Sequence, residues 1–219
     1  VISTTLVADL DTAVSAMLRI GKNNAYSFLL ESVEGGESKG RYSIIGCEPD
    51  LIWRCYGNKA EINYTPEKSV EKFSIDSYST LKSIRELVKS SKINLPEYLP
   101  PMASGLVGYL GFDTIKLIEN IPSSNPNTLN LPDGMFVRPK VMIIFDAVED
   151  TMTIVTPIYL KDNKNYDYEK IYKKSCSIIK NIINLLKQSI ENKHLDNNKI
   201  IKNEKIKSNF KKSEYLKII

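Results

Sequence analysis

Hydrophobic and polar residues in the first half of the chain follow patterns that favour β-strands. Residues 26–32 and 42–47 are rich in amino acids that suit strands. Between them, residues 34–40 are polar and contain three glycines, a composition that is typical of a surface loop. The pattern predicts two strands joined by a loop.

Turn residues divide other strand-like segments into two predicted hairpins. Residues 51–56 and 59–64 flank Gly57-Asn58, a dipeptide that favours a two-residue hairpin turn. Residues 135–145 and 151–160 flank a short turn that is rich in acidic residues. Both pairs are expected to be strands.

Apolar residues at helical spacing predict three helices. The predicted helices span about residues 11–20, 77–90 and 166–191. Their expected caps are Asp11 with Gly21 as a stop for the first helix, and Asp76 or Ser77 for the second. The apolar stripes are Val14, Met17 and Leu18, then Leu81, Ile84, Leu87 and Val88, then Ile171, Ile178, Ile182, Leu186 and Ile190. The stripe of the second helix is expected to lie on the sheet.

Residues 104–112 combine strand formers with three glycines, Gly105, Gly108 and Gly111. In a strand, such glycines permit close approach of a neighbouring backbone or a bulge. The spacing does not match a dinucleotide site, and the lysine of a phosphate-binding loop is missing. Structural glycines in a strand are the favoured interpretation.

Together these elements predict an α+β fold with a large, mostly antiparallel sheet system and flanking helices. The composition, 42% hydrophobic and 26% charged residues, is that of an ordinary soluble protein. The longest apolar runs, such as residues 141–145, are too short to cross a bilayer, and no charged-then-apolar leader opens the chain. We expect a cytoplasmic protein without membrane contact.

Positive charge is concentrated at the C-terminal end. Residues 161–219 contain 15 lysines against seven acidic residues. Lysine clusters attract phosphates, so contact with nucleic acid is one hypothesis. The lysines between residues 193 and 208 are nevertheless interleaved with Asn, Ile and acidic residues, without arginine or stacking aromatics. A solvated, lysine-rich linker over residues 193–212 is favoured, with no nucleic acid bound.

The sequence contains no recognisable catalytic motif based on histidine, cysteine or acidic residues. The single histidine, His194, lies in the predicted linker, which removes nucleophile–histidine arrangements and most zinc sites. The three cysteines, Cys47, Cys55 and Cys176, show no C-x-x-C spacing and are expected to be free thiols. Turns and solvated strand ends account for the acidic residues Glu119, Asp133, Asp146, Glu149 and Asp150.

A group of polar residues stands at a predicted strand end. Glu31 and Ser32 follow Leu30 directly before the glycine-rich loop, and Ser43 lies on the next predicted strand. An amino-acid ligand needs acceptors for its ammonium, donors for its carboxylate and an apolar slot, and these side chains supply such groups. They fit an ordinary strand end with a polar turn as well.

Several motifs in order resemble one family, the large subunit of anthranilate synthase, over about residues 6–157. The motifs are Ala-Asp-Leu-Asp-Thr-Ala-Val-Ser at residues 8–15, Phe-Leu-Leu-Glu-Ser-Val-Glu-Gly-Gly-Glu at 28–37, Gly-Arg-Tyr-Ser-Ile-Ile-Gly at 40–46, Pro-Asp-Leu-Ile-Trp-Arg at 49–54, Gly-Leu-Val-Gly-Tyr-Leu-Gly-Phe-Asp at 105–113 and Leu-Pro-Asp at 131–133.

The resemblance implies a function for the polar strand end. In that family the Leu-Leu-Glu-Ser motif belongs to the regulatory tryptophan site, so Leu30, Glu31, Ser32 and Ser43 are expected to bind tryptophan as an inhibitor. The complete enzyme, a lyase, converts chorismate and glutamine, or ammonia, into anthranilate and pyruvate using Mg²⁺. A separate glutamine amidotransferase subunit (component II) supplies the ammonia, so the full-length protein is expected to form a hetero-oligomer.

The resemblance also divides the chain. Residues 1–192 correspond to the family's N-terminal regulatory domain, 193–212 to a linker and 213–219 to the start of the chorismate-binding catalytic domain. The chain begins at Val1 and ends in what resembles an unfinished helix, so both ends are expected to be cut. Because the family's chorismate and Mg²⁺ residues lie in the catalytic domain, we expect no catalytic or metal-binding residue in this chain and no activity from it alone.

Two alternatives stay open. The large subunit of aminodeoxychorismate synthase shares the architecture and has a similar motif, although Glu31, the Gly-Gly loop and the Ala-Asp-Leu-Asp-Thr opening favour the anthranilate branch. Outside these enzymes, a free-standing module could hold an amino acid with Glu31, Ser32 and Ser43.

Overall fold

The computed structural model describes residues 1–21, 24–31, 40–122, 128–160, 165–190, 208 and 211–217. Within these ranges the chain forms one eight-stranded sheet and flanking helices. The strands are β1 (Ile2–Val7), β2 (Phe28–Leu30), β3 (Tyr42–Tyr56), β4 (Lys59–Asn63), β5 (Ser74–Ser79), β6 (Val107–Leu110), β7 (Gly134–Asp146) and β8 (Thr151–Thr156). The helices are α1 (Ala13–Ile20), α2 (Thr80–Ser90), a 3-10 helix (Phe112–Leu117), α3 (Tyr168–Leu186) and α4 (Lys212–Tyr215).

All neighbouring strands of the sheet are antiparallel. Their order is β1-β8-β7-β3-β4-β5, with β2 beside β3 and β6 beside β7. The two long strands β3 and β7 pair from Tyr42 opposite Asp146 to Cys55 opposite Gly134, with a register shift after Pro49. The predicted α+β class is confirmed, and both predicted hairpins are present as β3–β4 and β7–β8.

Different helices cover different parts of the sheet. Because side chains alternate along a strand, every second residue of β3, β7 and β8 faces α1 and α3. This core includes Ala16, Ile20, Ile45, Ile143, Ile154, Ile182 and Leu186. The opposite face carries a smaller cluster around Ile44, Met142 and Ile144. At the other end of β3, α2 packs on a third cluster around Trp53.

The first helix lies where its spacing predicts it, but it turns another side to the sheet. The Thr12 hydroxyl accepts a hydrogen bond from the Ser15 amide, so Thr12 rather than Asp11 is the N-cap. The buried residues are Ala13, Ala16 and Ile20. Val14 and Leu18 of the predicted stripe are 47% and 57% exposed. Small alanine side chains let the helix approach the sheet closely, and hydrophobicity alone did not reveal this side.

The other helix boundaries agree with the sequence prediction except at the start of α2. Gly21 is the C-cap of α1 as predicted, and α3 lies within its predicted range with Asp167 as its N-cap. The predicted caps Asp76 and Ser77 instead lie in β5, which pairs with β4. Ser79 is the N-cap residue of α2.

Polar side chains face inward where α2 meets the sheet. The buried indole N–H of Trp53 donates to the Ser83 hydroxyl at 2.8 Å, and that hydroxyl donates to Asp76. Each polar group in this chain of hydrogen bonds therefore has a partner. The predicted stripe residue Val88 is 55% exposed because Ser83 and Leu87 occupy the inward side.

Gly108 is the glycine at which close backbone approach is required. A Cβ atom at this position would lie 1.9 Å from the carbonyl oxygen of Met135 on β7. The prediction of a structural glycine is confirmed here. The strand ends at Leu110, and Phe112 begins the 3-10 helix after Gly111 rather than continuing the predicted strand.

Within the described ranges, no helix is long and apolar enough to cross a membrane. Most of the predicted linker, including His194, lies outside the described residues, as do Ser32 and most of the glycine-rich loop. α4 falls in the segment that resembles the opening of the chorismate-binding domain.

Candidate functional site

The candidate site is built on the short pair of strands β2 and β3. Leu29 lies opposite Ile45 and Leu30 lies opposite Ile44. The pairing of β2 ends there, so Glu31 is the first residue after β2 and Ser43 is the next residue of β3 beyond the paired segment. The fourth predicted site residue, Ser32, lies outside the described residues.

Side-chain alternation separates Leu30 from the two polar residues. Leu29 and Ile45 belong to the core beneath α1 and α3, and Glu31 and Ser43 follow them on the same face. Leu30 lies on the opposite face, beside Ile44, and is 43% exposed. Its side chain therefore does not lie beside Glu31, although its backbone does.

Glu31 is exposed and Ser43 is half-buried. Ser43 pairs with Phe145 of β7, so its backbone position is fixed by that neighbouring strand. The site therefore combines an accessible carboxylate at the end of β2 with a hydroxyl on a rigid central strand. Such a pair can accept hydrogen bonds from an ammonium group and donate one to a carboxylate.

Gly46 fixes the position of β2. A Cβ atom at residue 46 would lie 2.2 Å from the Phe28 ring, which occupies the space that a side chain would need. Gly46 closes the Gly-Arg-Tyr-Ser-Ile-Ile-Gly motif, and Phe28 opens the motif that contains Glu31. The two motifs therefore meet in this contact, which lies where Phe28 pairs with Gly46.

Arg41 holds the start of β3 through a two-point ion pair. Its Nε and Nη2 atoms donate to the two carboxylate oxygens of Asp146 at 2.8 and 2.6 Å, and Nη2 lies 3.6 Å from Glu149. The guanidinium holds the pKa of Asp146 below its ordinary value, and amide hydrogen bonds from Val148 and Glu149 act in the same direction against the effect of burial. Sequence analysis had placed Asp146 in a turn without a partner.

A second ion pair, also missed from the sequence, lies at the register shift of β3. Arg138 of β7 donates to both carboxylate oxygens of Asp50 at 2.8 and 2.9 Å. Its guanidinium carbon lies 4.1 Å from the centre of the Tyr159 ring. The sequence signal for this ion pair was the Pro-Asp motif at residues 49–50. Its partner Arg138 lies 88 residues from Asp50, so no local pattern links the two.

Asp133 of the Leu-Pro-Asp motif joins three segments. Its carboxylate accepts the Gly57 amide at 2.5 Å, its own amide donates to the Cys55 carbonyl at 2.8 Å, and its carbonyl accepts the Gly111 amide at 2.6 Å. The motif therefore fastens the end of β6 to the β3–β4 hairpin. This structural function agrees with the predicted turn.

Among the described residues, the thiols and carboxylates form neither a reactive-cysteine site nor a metal site. Cys47, Cys55 and Cys176 are free, as predicted. Burial raises the pKa of Cys47 to about 12 and that of Cys55 to about 11, so both are poor nucleophiles near neutral pH. In the described part of the chain, no three His, Cys, Asp or Glu side chains are grouped to hold a metal ion.

The sequence is similar to several known proteins that share one name. The chain is 44% identical over 155 residues to anthranilate synthase component 1 of Cereibacter sphaeroides, a match that covers 71% of this chain and 31% of the relative. It is 33% identical over 178 residues to the protein of the same name from Synechocystis, covering 81% of this chain and 34% of the relative. A third relative of that name, from Acetivibrio thermocellus, is 30% identical over 210 residues, which is 95% of this chain and 41% of the relative.

A solved structure shares the fold. The crystal structure of anthranilate synthase component I from Streptococcus pneumoniae superposes with a TM-score of 0.51 at 18% identity, covering 81% of this chain and 36% of that one. No protein-family model matches the chain.

The relatives that match the chain share one name and define one family. The chain belongs to the anthranilate synthase component 1 family. The match spans about a third of the length of the relatives from Cereibacter sphaeroides and Synechocystis.

Proposed function

We propose that this chain is the N-terminal, tryptophan-sensing part of an anthranilate synthase component 1. In this proposal the complete protein converts chorismate and glutamine, or ammonia, into anthranilate and pyruvate in the cytoplasm, as a step of tryptophan biosynthesis. The proposal is supported by the 44% identity to a relative of that name, of which the chain spans 31%. The residues that bind chorismate and Mg²⁺ belong to the remaining part of the protein, and a glutamine amidotransferase subunit (component II) supplies ammonia.

The tryptophan site is proposed at the outer end of β2. The observation that carries this proposal is the register of β2 and β3, which ends with Leu30 opposite Ile44, directly before Glu31 on one strand and Ser43 on the other. Glu31 binds the ammonium group of the ligand, and Ser43 and Ser32 bind its carboxylate. Leu30 contributes through its backbone, which lies at the end of β2 directly before Glu31.

Calorimetry with tryptophan on the full-length protein tests this site. Glu31→Gln and Ser32→Phe are each expected to weaken binding by about tenfold or more, since a hydrogen bond to a charged group contributes about 1.5–3 kcal/mol. Ser43→Ala, which removes a neutral donor, should weaken binding less. Glu71→Gln, an exposed carboxylate outside the site, is the matched control and should leave the affinity unchanged. Unchanged affinity in all three site variants would remove this strand end from the site.

The proposed reaction has a separate test. The full-length protein should form fluorescent anthranilate from chorismate, ammonium and Mg²⁺, and tryptophan should inhibit this reaction. The 219-residue chain alone should form none. An aminodeoxychorismate product from the full-length protein would assign it to the folate branch instead.

A further inference from the structure

A gap in the sheet lies beside the register shift of β3. The pairing of β2 with β3 ends at Gly46, and the pairing of β4 with β3 begins at Ile52. Residues 47–51 therefore face no strand on that edge in the described part of the chain. The segments that precede β2 and follow β4 border a cavity here. Six of its lining residues define the "bulge cavity": Asn24, Glu48, Pro49, Glu67, Val70 and Lys140.

The bulge cavity has the size and the walls of a small-molecule site. Its volume is about 340 Å³, and small-molecule sites span roughly 300–1,000 Å³. Pro49 and Val70 form an apolar part of the wall, and Glu48, Glu67 and Lys140 bring charged groups to it. A cavity with both kinds of wall suits a ligand that combines an aliphatic chain with charged groups.

The three charged side chains of the bulge cavity have no partners among the described residues. There, none of Glu48, Glu67 and Lys140 makes a side-chain hydrogen bond or an ion pair. Glu48 and Lys140 are both half-buried, where an unpaired charge is less favourable than in open water. They stand between two successive pairs of the β3–β7 register, where opposite charges on neighbouring strands attract each other. The flanking pairs are Cys47 with Val141 and Pro49 with Pro139.

The backbone at Glu48 is strained. Its φ of 50° is left-handed, a conformation that glycine adopts without steric cost. The sequence has a glutamate here, so the cavity gains a carboxylate at a position whose backbone favours glycine. Strained residues of this kind cluster at ligand-binding sites.

We propose that the bulge cavity binds a basic α-amino acid, which carries a second ammonium group at the end of an aliphatic side chain. Two carboxylates and one ammonium group of the cavity complement the two cations and one anion of such a ligand. Glu48 and Lys140 come from neighbouring strands and bind the α-ammonium and α-carboxylate groups, which share one carbon atom. Glu67, from the segment after β4, binds the distal ammonium group, and the aliphatic chain lies against Val70.

Calorimetry on the protein encoded by the complete reading frame, with tryptophan at a saturating concentration, tests the bulge cavity. Asn24 precedes β2 and Glu31 follows it, so tryptophan at the proposed site around Glu31 leaves the cavity free. Three ligands are compared: L-lysine, L-norleucine, which lacks the distal amino group, and cadaverine, which lacks the carboxylate. Lysine should bind, and each of the other two should bind about tenfold or more weakly, because one charge-assisted hydrogen bond is lost.

Variants assign each charge of the ligand to its partner. Glu67→Gln should weaken lysine binding about tenfold and leave norleucine binding unchanged, since norleucine has no group for Glu67 to bind. Lys140→Met should likewise weaken the binding of lysine but not that of cadaverine. Both variants should melt at the wild-type temperature, because neither side chain makes an ion pair with the described residues. The matched control is Glu97→Gln, an exposed carboxylate outside the cavity, which should change no affinity.

Several outcomes would overturn the inference. One is the absence of lysine binding to the wild-type protein, and another is equal binding of lysine and norleucine. Undiminished lysine binding in both cavity variants would place the ligand elsewhere. Lysine binding that disappears when tryptophan is added would place it at the strand end around Glu31. Lysine binding by a protein that binds no tryptophan would support the bulge cavity and count against the proposed tryptophan site alone.

Discussion

At the scale of single residues, the site depends on side chains that do not themselves face a ligand. Arg41 directly precedes β3, and its ion pair with Asp146 fastens that end of β3 to the end of β7. Ser43 lies two residues further along β3, so the ion pair also fixes the hydroxyl of the candidate site. Arg41 and Asp146 therefore act as positioning residues for the start of β3.

Asp146→Asn tests this positioning through the pH dependence of stability. The variant should lower the free energy of unfolding by about 1–3 kcal/mol at pH 7, because a nearly buried charged partner of Arg41 is lost. The folded-state pKa of Asp146 lies below its ordinary value of 3.8. Its contribution is therefore fully present above that pH and is lost as the pH falls through the lower folded-state pKa. Urea unfolding at pH 7, 4 and 3 should show the difference between wild type and variant shrinking towards low pH.

A matched control for Asp146 is Asp113→Asn. Asp113 pairs with Lys116 at 2.6 Å but is 61% exposed, so its removal should cost roughly 0–1 kcal/mol. An Asp146 variant as stable as the Asp113 variant at pH 7 would show that the Arg41 pair does not hold the strand ends.

The site residues could be predicted only in part. The Leu-Leu-Glu-Ser motif drew attention to Glu31 because a resemblance to a family gave it a function, and the strand periodicity put Ser43 on the adjacent strand. The two ion pairs could not be predicted, because their partners are far apart in the sequence. Arg41 and Asp146 are 105 positions apart, and Asp50 and Arg138 are 88 positions apart. Local patterns carry no information on such pairs.

At the scale of elements, the sequence was most informative where turn and strand signals are local. Gly57-Asn58 between two strand-like segments gave the β3–β4 hairpin because a two-residue turn dictates its own strand pairing. β1 was not predicted, since its Ser-Thr-Thr centre is weakly apolar and its partner β8 is about 150 residues away. The end of β5 was mistaken for the start of α2 because Asp76 and Ser77 are residue types that favour a helix N-cap.

Gly108→Ala tests the closest approach between two elements. The new methyl group would meet backbone atoms of β7, with the Met135 oxygen at 1.9 Å and the Phe136 Cα at 2.7 Å, and backbone cannot move aside as a side chain can. We expect a loss of about 1–3 kcal/mol in the free energy of unfolding, or separation of β6 from β7. Chemical denaturation and hydrogen exchange of residues 105–112 measure the two effects.

Gly57→Ala provides the comparison for Gly108. Nothing lies within 4 Å of a Cβ at residue 57, but its φ of +51° is left-handed, so the expected cost is about 1 kcal/mol from the backbone alone. A larger loss at Gly57 than at Gly108 would contradict the steric explanation for the glycine in β6.

At the scale of the whole molecule, the chain builds its own cores although it spans only about a third of its relatives. The core under α1 and α3 contains Cys47, and the cluster under α2 contains Cys55, both fully buried. Both thiols are therefore buried by residues of this chain alone. The 219-residue chain is therefore expected to fold alone.

Thiol labelling measures whether both cores form in the isolated chain. With a disulfide reagent at pH 8, the half-buried Cys176 should react first, whereas Cys47 and Cys55 should react about a thousandfold more slowly, at the rate of large opening motions. Their raised pKa values, about 12 and about 11, keep the thiolate fraction low while the fold is intact. Cys176→Ser should abolish the fast phase, and denaturant should make the remaining two thiols react together. If Cys55 alone reacted quickly in this variant, the α2 end would need the rest of the polypeptide to close, whereas fast reaction of both would show that neither core forms in the isolated chain.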